Sequence, residues 1–207
     1  RPVICPNQIP PAATLARRIA ARHRSAQPYT FLPAVTALDI PEEVDELPVK
    51  EISSNAFQDC SNLIDIKIPN TITYIGWDTF CNCSSLTNII IPNSVTQIGV
   101  EAFYNCNNLT DIIIPDSVTR IGNSAFYKCS SLINVVLPNA ITEIEGAMFA
   151  HCTSLKSVTI PNSVSCISYD AFYSCEGLTD VYNGFYGYRI FLLLSGKQYG
   201  HIFHISH

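Results

Sequence analysis

Residues 91–112 read IPNSVTQIGVEAFYNCNNLTDI, and the same grammar returns every 23 residues along most of the chain. Phe57, Phe80, Phe103, Phe126, Phe149 and Phe172 mark the beat, and each is followed three residues later by Cys60, Cys83, Cys106, Cys129, Cys152 or Cys175. Leu63, Leu86, Leu109, Leu132, Leu155 and Leu178 close the frame. Ile52, Ile75, Ile98, Ile121, Ile144 and Ile167 precede the Phe in the same register, and Ile66, Ile89, Ile112, Val135, Val158 and Val181 follow the Leu. A fixed period of about 20 to 50 residues denotes one supersecondary unit stacked on copies of itself. Such units bury their apolar faces only against their neighbours, so the fold class is a repeat solenoid.

Within a unit, the segment from Leu109 to Pro115 alternates Ile112 and Ile114 with Asp111 and Ile113, the period of a half-buried strand that proline then stops. Val118 and Ile121 flank a second short extended arm. Gly122 and Asn123 mark a turn, and Ala125 to Cys129 is read as one helical or 3₁₀ turn that drops the Phe ring into the core. Strands at equivalent positions stack in parallel, about 4.7 to 4.9 Å apart.

The repeats occupy residues 34–182 as about six units. The first unit is irregular: Leu38, Ile40 and Pro41 match Ile66, Ile68 and Pro69, but an insertion holding Pro48 and the acidic run Glu42 to Glu46 lengthens it, as expected of a terminal cap. Residues 1–33 form a leader rich in Pro, Ala and Arg, whose stretch 14–24 has the pattern of one basic helix, and residues 183–207 form a C-terminal cap or tail. The chain carries a formal net charge of -5, unevenly placed. Residues 1–38 hold five arginines and no acid, whereas all 17 acidic residues lie beyond them, which argues against nucleic-acid binding by the repeats. With 47% apolar and only 14% charged residues the chain has the composition of a globular protein, which argues against disorder across the repeats. No apolar run approaches the roughly 20 residues that a membrane-spanning helix needs.

Six frames in register, built on the pattern that residues 91–112 show as Ile-Pro-Asn-Ser-Val and Ala-Phe-x-x-Cys-x-x-Leu, resemble the 23-residue leucine-rich repeat of the BspA-like family. Thr79 and Met148 depart from the Ala before Phe, and Asp116 and Ala140 from the Asn-Ser pair of Asn93 and Ser94. The resemblance implies a right-handed superhelix of stacked short parallel strands, turns and 3₁₀ or short helical turns. It also implies a protein carried at the cell surface or secreted, used for adhesion or for binding host or matrix proteins. Two alternatives stay open: a cytoplasmic scaffold built from the same repeats, and a structural spacer in a larger surface protein. A secretory signal upstream of Arg1 favours the surface reading, and an initiating Met directly before it the cytoplasmic one.

The residues offer no catalytic constellation: there is no nucleophile elbow, no Gly-rich phosphate loop and no carboxylate pair outside the acidic first unit. The chain is therefore read as a non-enzyme without cofactor or metal. The six framed cysteines are read as buried, reduced core residues, and Cys5, Cys81 and Cys166 lie off the frame. Cys81 stands where other units place Tyr104, Tyr127 and Tyr173, so it is expected to be the exposed thiol. His151 is read as a solvated turn substitution, and His201, His204 and His207 as a frayed tail rather than a metal site. The sequons at Asn82 and Asn108 are read as chance in an Asn- and Ser-rich chain.

The outward strand positions remain as the candidate site. One column runs Asp65, Asn88, Asp111, Asn134, Ser157 and Asp180, and the next runs Lys67, Ile90, Ile113, Val136, Thr159 and Tyr182. Asn88, Ile90, Asp111, Ile113, Asn134, Val136 and Thr159 are the expected contacts for a protein partner. Three adjacent aliphatic side chains facing water mark an interaction surface, with plain β-propensity of a sheet face as the competing explanation.

Overall fold

The computed structural model describes residues 36–168, 170–183 and 203–204. The expected basic helix at 14–24, Cys5, and the side chains of Tyr182 and of the three C-terminal histidines lie outside the described residues.

Each unit contributes two short strands, and like strands pair in parallel from unit to unit. The first series begins with Ala37–Asp39 on Asp65–Lys67, paired Leu38 to Ile66, so the irregular first unit keeps the register read from its sequence. It continues as five strands, Asn88–Ile90, Asp111–Ile113, Asn134–Val136, Ser157–Ile160 and Asp180–Asn183. Ile89, Ile112, Val135, Val158 and Val181 face one another across that register. The Thr87 amide donates to the Ile64 carbonyl at 3.3 Å and links the two parts.

The second series is Glu51–Ile52, Tyr74–Ile75, Gln97–Ile98 and Arg120–Ile121, followed by Glu143–Ile144 and Cys166–Ile167. Phe203–His204 then adds to Cys166–Ile167 in antiparallel fashion, so this part of the C-terminal segment pairs with the sheet rather than fraying from it. Gly76, Gly99, Gly122 and Ser168 each donate their amide to the preceding unit's Ile carbonyl. The series is interrupted between Arg120–Ile121 and Glu143–Ile144, where Glu145 takes the glycine's place. At Gly122 an added Cβ would lie 2.5 Å from the Val100 nitrogen, so a side chain there requires the backbone to shift, although Ser168 holds the same place with its strand pairing intact. Gly146 bonds instead to the Asn123 side chain at 3.1 Å. The insertion in the first unit is a hairpin, Glu43–Val44 with Leu47–Pro48, turning through Asp45 and Glu46 with φ of 52° and 64°, as a two-residue primed turn demands.

The core is a set of columns, one for each apolar position of the frame. The six Phe rings stack with centroids 5.3 to 5.6 Å apart and planes within 13° of parallel. Every framed cysteine after the first donates its S–H to the carbonyl of the preceding unit's Phe, from Cys83 on Phe57 at 3.1 Å to Cys175 on Phe149 at 3.0 Å. Cysteine is thus both a small apolar filler and a weak donor that satisfies a buried carbonyl. The eight described cysteines are all free, the framed six buried as expected. Thr79, the polar departure before Phe80, is buried with its hydroxyl donating to Gly76 at 2.8 Å.

The expected helical or 3₁₀ turn around each Phe takes another form: there is no helix among the described residues. Alternate amides go in different directions. Ala125, Tyr127 and Cys129 close turns onto residues three back, while Ser124, Phe126 and Lys128 donate to Gly146, Met148 and Ala150 of the next unit. A continuing helix would turn its amides back along its own chain; here the next unit takes every second one. The geometry puts two residues per unit into the left-handed region, such as Asn55 and Asp59, Asp78 and Asn82, and Ser124 and Lys128. Asn and Asp accept that conformation readily, which accounts for their abundance here.

Candidate functional site

Because the strands alternate, the central residue of each points into the core and its neighbours point out. Asn88, Ile90, Asp111, Ile113, Asn134, Val136 and Thr159 are all exposed, as the alternation requires. Ile90, Ile113 and Val136 stand 74%, 81% and 62% exposed, in adjacent rungs of one column, whereas Ile89, Ile112 and Val135 beside them are buried. The neighbouring polar column is tied together in places, with the Ser157 hydroxyl donating to Asn134 Oδ1 at 2.8 Å. On the other side, past the line of prolines, Asp116, Asn139 and Asn162 form a second polar wall. Asn139 donates its backbone amide and its Nδ2 to Asp116 Oδ1 at 2.9 and 3.2 Å. Between this wall and Ile113, Val136 and Thr159 runs a shallow groove of about 480 Å³ over three units, with Pro115 and Pro161 in its floor. The face brings no nucleophile and base together, and the described residues contain no cluster of His, Cys, Asp and Glu fit to hold a metal ion. Its chemistry is that of a contact surface: aliphatic along the centre and polar at both margins.

A second feature lies at the turn edge. Tyr104 and Tyr127 stack at 4.9 Å, and His151 sits edge-on between Tyr127 and Tyr173 at 5.2 and 5.3 Å. His151 is therefore a half-buried member of an aromatic row and not the solvated substitution expected. The cause is Ala150, which occupies the Tyr position of that unit and leaves a gap that the next residue's ring fills. Only the missing tyrosine signalled this in the sequence. Lys128 lies 5.5 Å from the Tyr127 ring centre, within reach of a cation–π contact. Trp77, not singled out from sequence, is 58% exposed.

Cys81 is also corrected: it is buried, 5% exposed. At that position a tyrosine is long enough to reach past the turn into water, whereas a cysteine ends beneath it. Burial, with the nearby carboxylates of Asp78, Asp59 and Glu101, pushes its thiol up to about 12, so it is not a reactive group. Cys166 is the more accessible thiol, half-buried beside Glu143, with desolvation and that carboxylate holding it above the usual cysteine range.

Stacked parallel rungs, a Phe–Cys–Leu frame in every unit and an exposed strand face define the class of leucine-rich repeat solenoids. The chain belongs to the BspA type leucine-rich repeat family, whose repeat region matches residues 50–179 in six copies. Three solved structures are similar over most of this chain. A leucine-rich repeat protein from Bacteroides ovatus shares 36% identity at a TM-score of 0.68, covering 74% of this chain and 39% of that one. The T. pallidum leucine-rich repeat protein shares 31% identity at 0.67, covering 72% and 71%. A leucine-rich cell surface protein from Faecalibacterium prausnitzii shares 32% identity at 0.66, covering 72% and 48%. The chain thus corresponds to less than half of the first and third of these. Comparison with curated proteins gives no match.

Proposed function

We propose that this chain is a non-catalytic protein-binding module, with residues 34–182 as its working part between a leader and a C-terminal cap, acting in adhesion or in binding a host or matrix protein. The observation that carries the reading is the row Ile90, Ile113 and Val136, three aliphatic side chains that the fold leaves in water in consecutive rungs. Contiguous exposed apolar surface on a soluble domain is costly unless it is used. Cell-surface or secreted placement is supported by the similar Faecalibacterium protein, which is described as a cell surface protein. The eight described cysteines, all free, favour the intracellular scaffold as the second reading, since a reducing compartment keeps thiols free.

The test is capture from an extracellular-matrix extract by the purified chain and by its Ile90→Asp plus Ile113→Asp variant. The variant is expected to lose binding with circular dichroism and melting temperature nearly unchanged, because both side chains face solvent. An Ile113→Thr variant separates surface from propensity: threonine keeps the strand preference but removes the apolar contact. Binding retained in the Asp variant would move the site to the row of Tyr104, Tyr127 and Tyr173.

A further inference from the structure

Resting on the reading of the strand face as the binding surface, we infer that its occupant is a short extended peptide segment that is both basic and apolar, setting Lys or Arg beside Asp111 and Asp116 and an aliphatic or aromatic side chain on Ile113 and Val136. The two margins of the apolar column are not equivalent along its length. In the unit of Ile113 both margins carry a carboxylate, Asp111 on one side and Asp116 on the other, and both are exposed. In the units on either side the same places hold amides or hydroxyls: Asn88 and Asn93, Asn134 and Asn139, Ser157 and Asn162. Among the four units from Asn88 to Asn162, negative charge is therefore confined to the unit of Ile113, the most exposed residue of the stripe, while the same polar column carries Asp65 and Asp180 at its ends.

The wider field has the same sign. All 17 acidic residues of the chain fall between Asp39 and Asp180, with only five basic residues from Thr36 to Asn183. Lys67, the cation of the apolar column, stands at its start, two rungs before Ile113. A surface of this kind draws in a cationic partner and rejects an acidic one. The groove sets the size of the contact. Three rungs span about 10 Å at strand spacing, room for roughly three to four residues of extended chain at about 3.3 Å each. The prolines in its floor and the flat row of short strands suit a segment lying along the surface better than a helix about 10 to 12 Å across.

The experiment is panning of a random dodecapeptide phage library on the immobilised full chain, with an Ile90→Asn plus Ile113→Asn variant, which adds no charge, as counter-selection. Peptides recovered on the chain and lost on this variant should be enriched in Lys or Arg next to Leu, Ile, Phe or Trp. A synthesised representative should bind about threefold or more weakly at 300 mM than at 50 mM NaCl, because exposed charge pairs are screened over that range. An Asp111→Asn plus Asp116→Asn variant, which keeps the acceptor for Asn139, should abolish most of that salt dependence at an unchanged melting temperature. Face-dependent peptides that are neutral or acidic, or whose binding ignores salt and the two aspartates, overturn the inference and leave the strand face standing. Peptides that bind the Asn variant equally well, or no recovered peptide at all, overturn it together with the assignment of the face.

Discussion

Replacement of Phe126 by alanine measures how far the units depend on one another. Its ring is fully buried and lies between Phe103 at 5.3 Å and Phe149 at 5.4 Å. Phe57 is equally buried, at 1% exposure, but has a ring neighbour on one side only, Phe80 at 5.3 Å. Emptying a buried aromatic site costs about 3 to 5 kcal/mol, and each aromatic pair adds about 0.5 to 1.5 kcal/mol beyond its burial. Phe126→Ala forfeits two such pairs and Phe57→Ala one, so the interior change should cost more by about 0.5 to 1.5 kcal/mol. Fraying of the terminal unit widens the gap, because a unit that opens locally loses only its own contacts. Urea melts of the whole chain, followed by circular dichroism, supply both numbers. Equal losses, or a larger one at Phe57, would refute the columnar packing. A Phe103→Ala plus Phe126→Ala cycle adds a direct check, with a coupling in the range of one aromatic pair expected and strict additivity contradicting it.

The thiols and carboxyls give two more expectations. In a Cys5→Ser background at pH 8, Cys166 should react first with a thiol reagent, and Cys81 and the framed six only on unfolding, since burial holds Cys60 near 11 and pushes Cys129 and Cys175 up to about 12; labelling of Cys81 as fast as Cys166 would contradict its placement. Asp78 and Glu101 adjoin in successive units, and burial first, then for Glu101 the charge and hydrogen bond of Asp78, raises both carboxyls. A carboxyl raised on folding stabilises below its unfolded value and gives that stability up as pH climbs through the folded one. Asp78→Asn should therefore raise the melting temperature at pH 7 and change it little at pH 3, and a loss at pH 7 would show that the pair attracts rather than repels; Asn55 occupies the equivalent left-handed position, so the substitution brings no backbone strain.

Much of this architecture is legible in the chain because it is local and periodic. The alternation in Asp111-Ile112-Ile113-Ile114 states which side chains enter the core, and the 23-residue beat states which of them meet across units. What escaped reading depends on the neighbouring unit. The tight turns around each Phe are bent away from a helix by amides that bond to the next unit, which places Lys128 at positive φ although nothing in that residue favours it. The burial of Cys81 and the position of His151 both follow from side-chain length in the tyrosine column, short at 81 and missing at 150. Those are properties of a column rather than of a unit, and they show only when the frames are laid on top of one another.

Core and candidate site rest on the same one-residue alternation, so substituting the two sides of a single strand tests the account most directly. Ile112 is 5% exposed and Ile113 is 81% exposed, with the same side chain on the same strand. Melting curves of Ile112→Asp and Ile113→Asp are expected to diverge: a carboxylate forced into the core at 112 should unfold the central units or remove several kcal/mol, about 3 or more, while at 113 the change should stay within about 0.5 kcal/mol. Equal destabilisation by the two, or a stable Ile112→Asp beside an unfolded Ile113→Asp, would contradict the assignment of the faces and with it the binding surface.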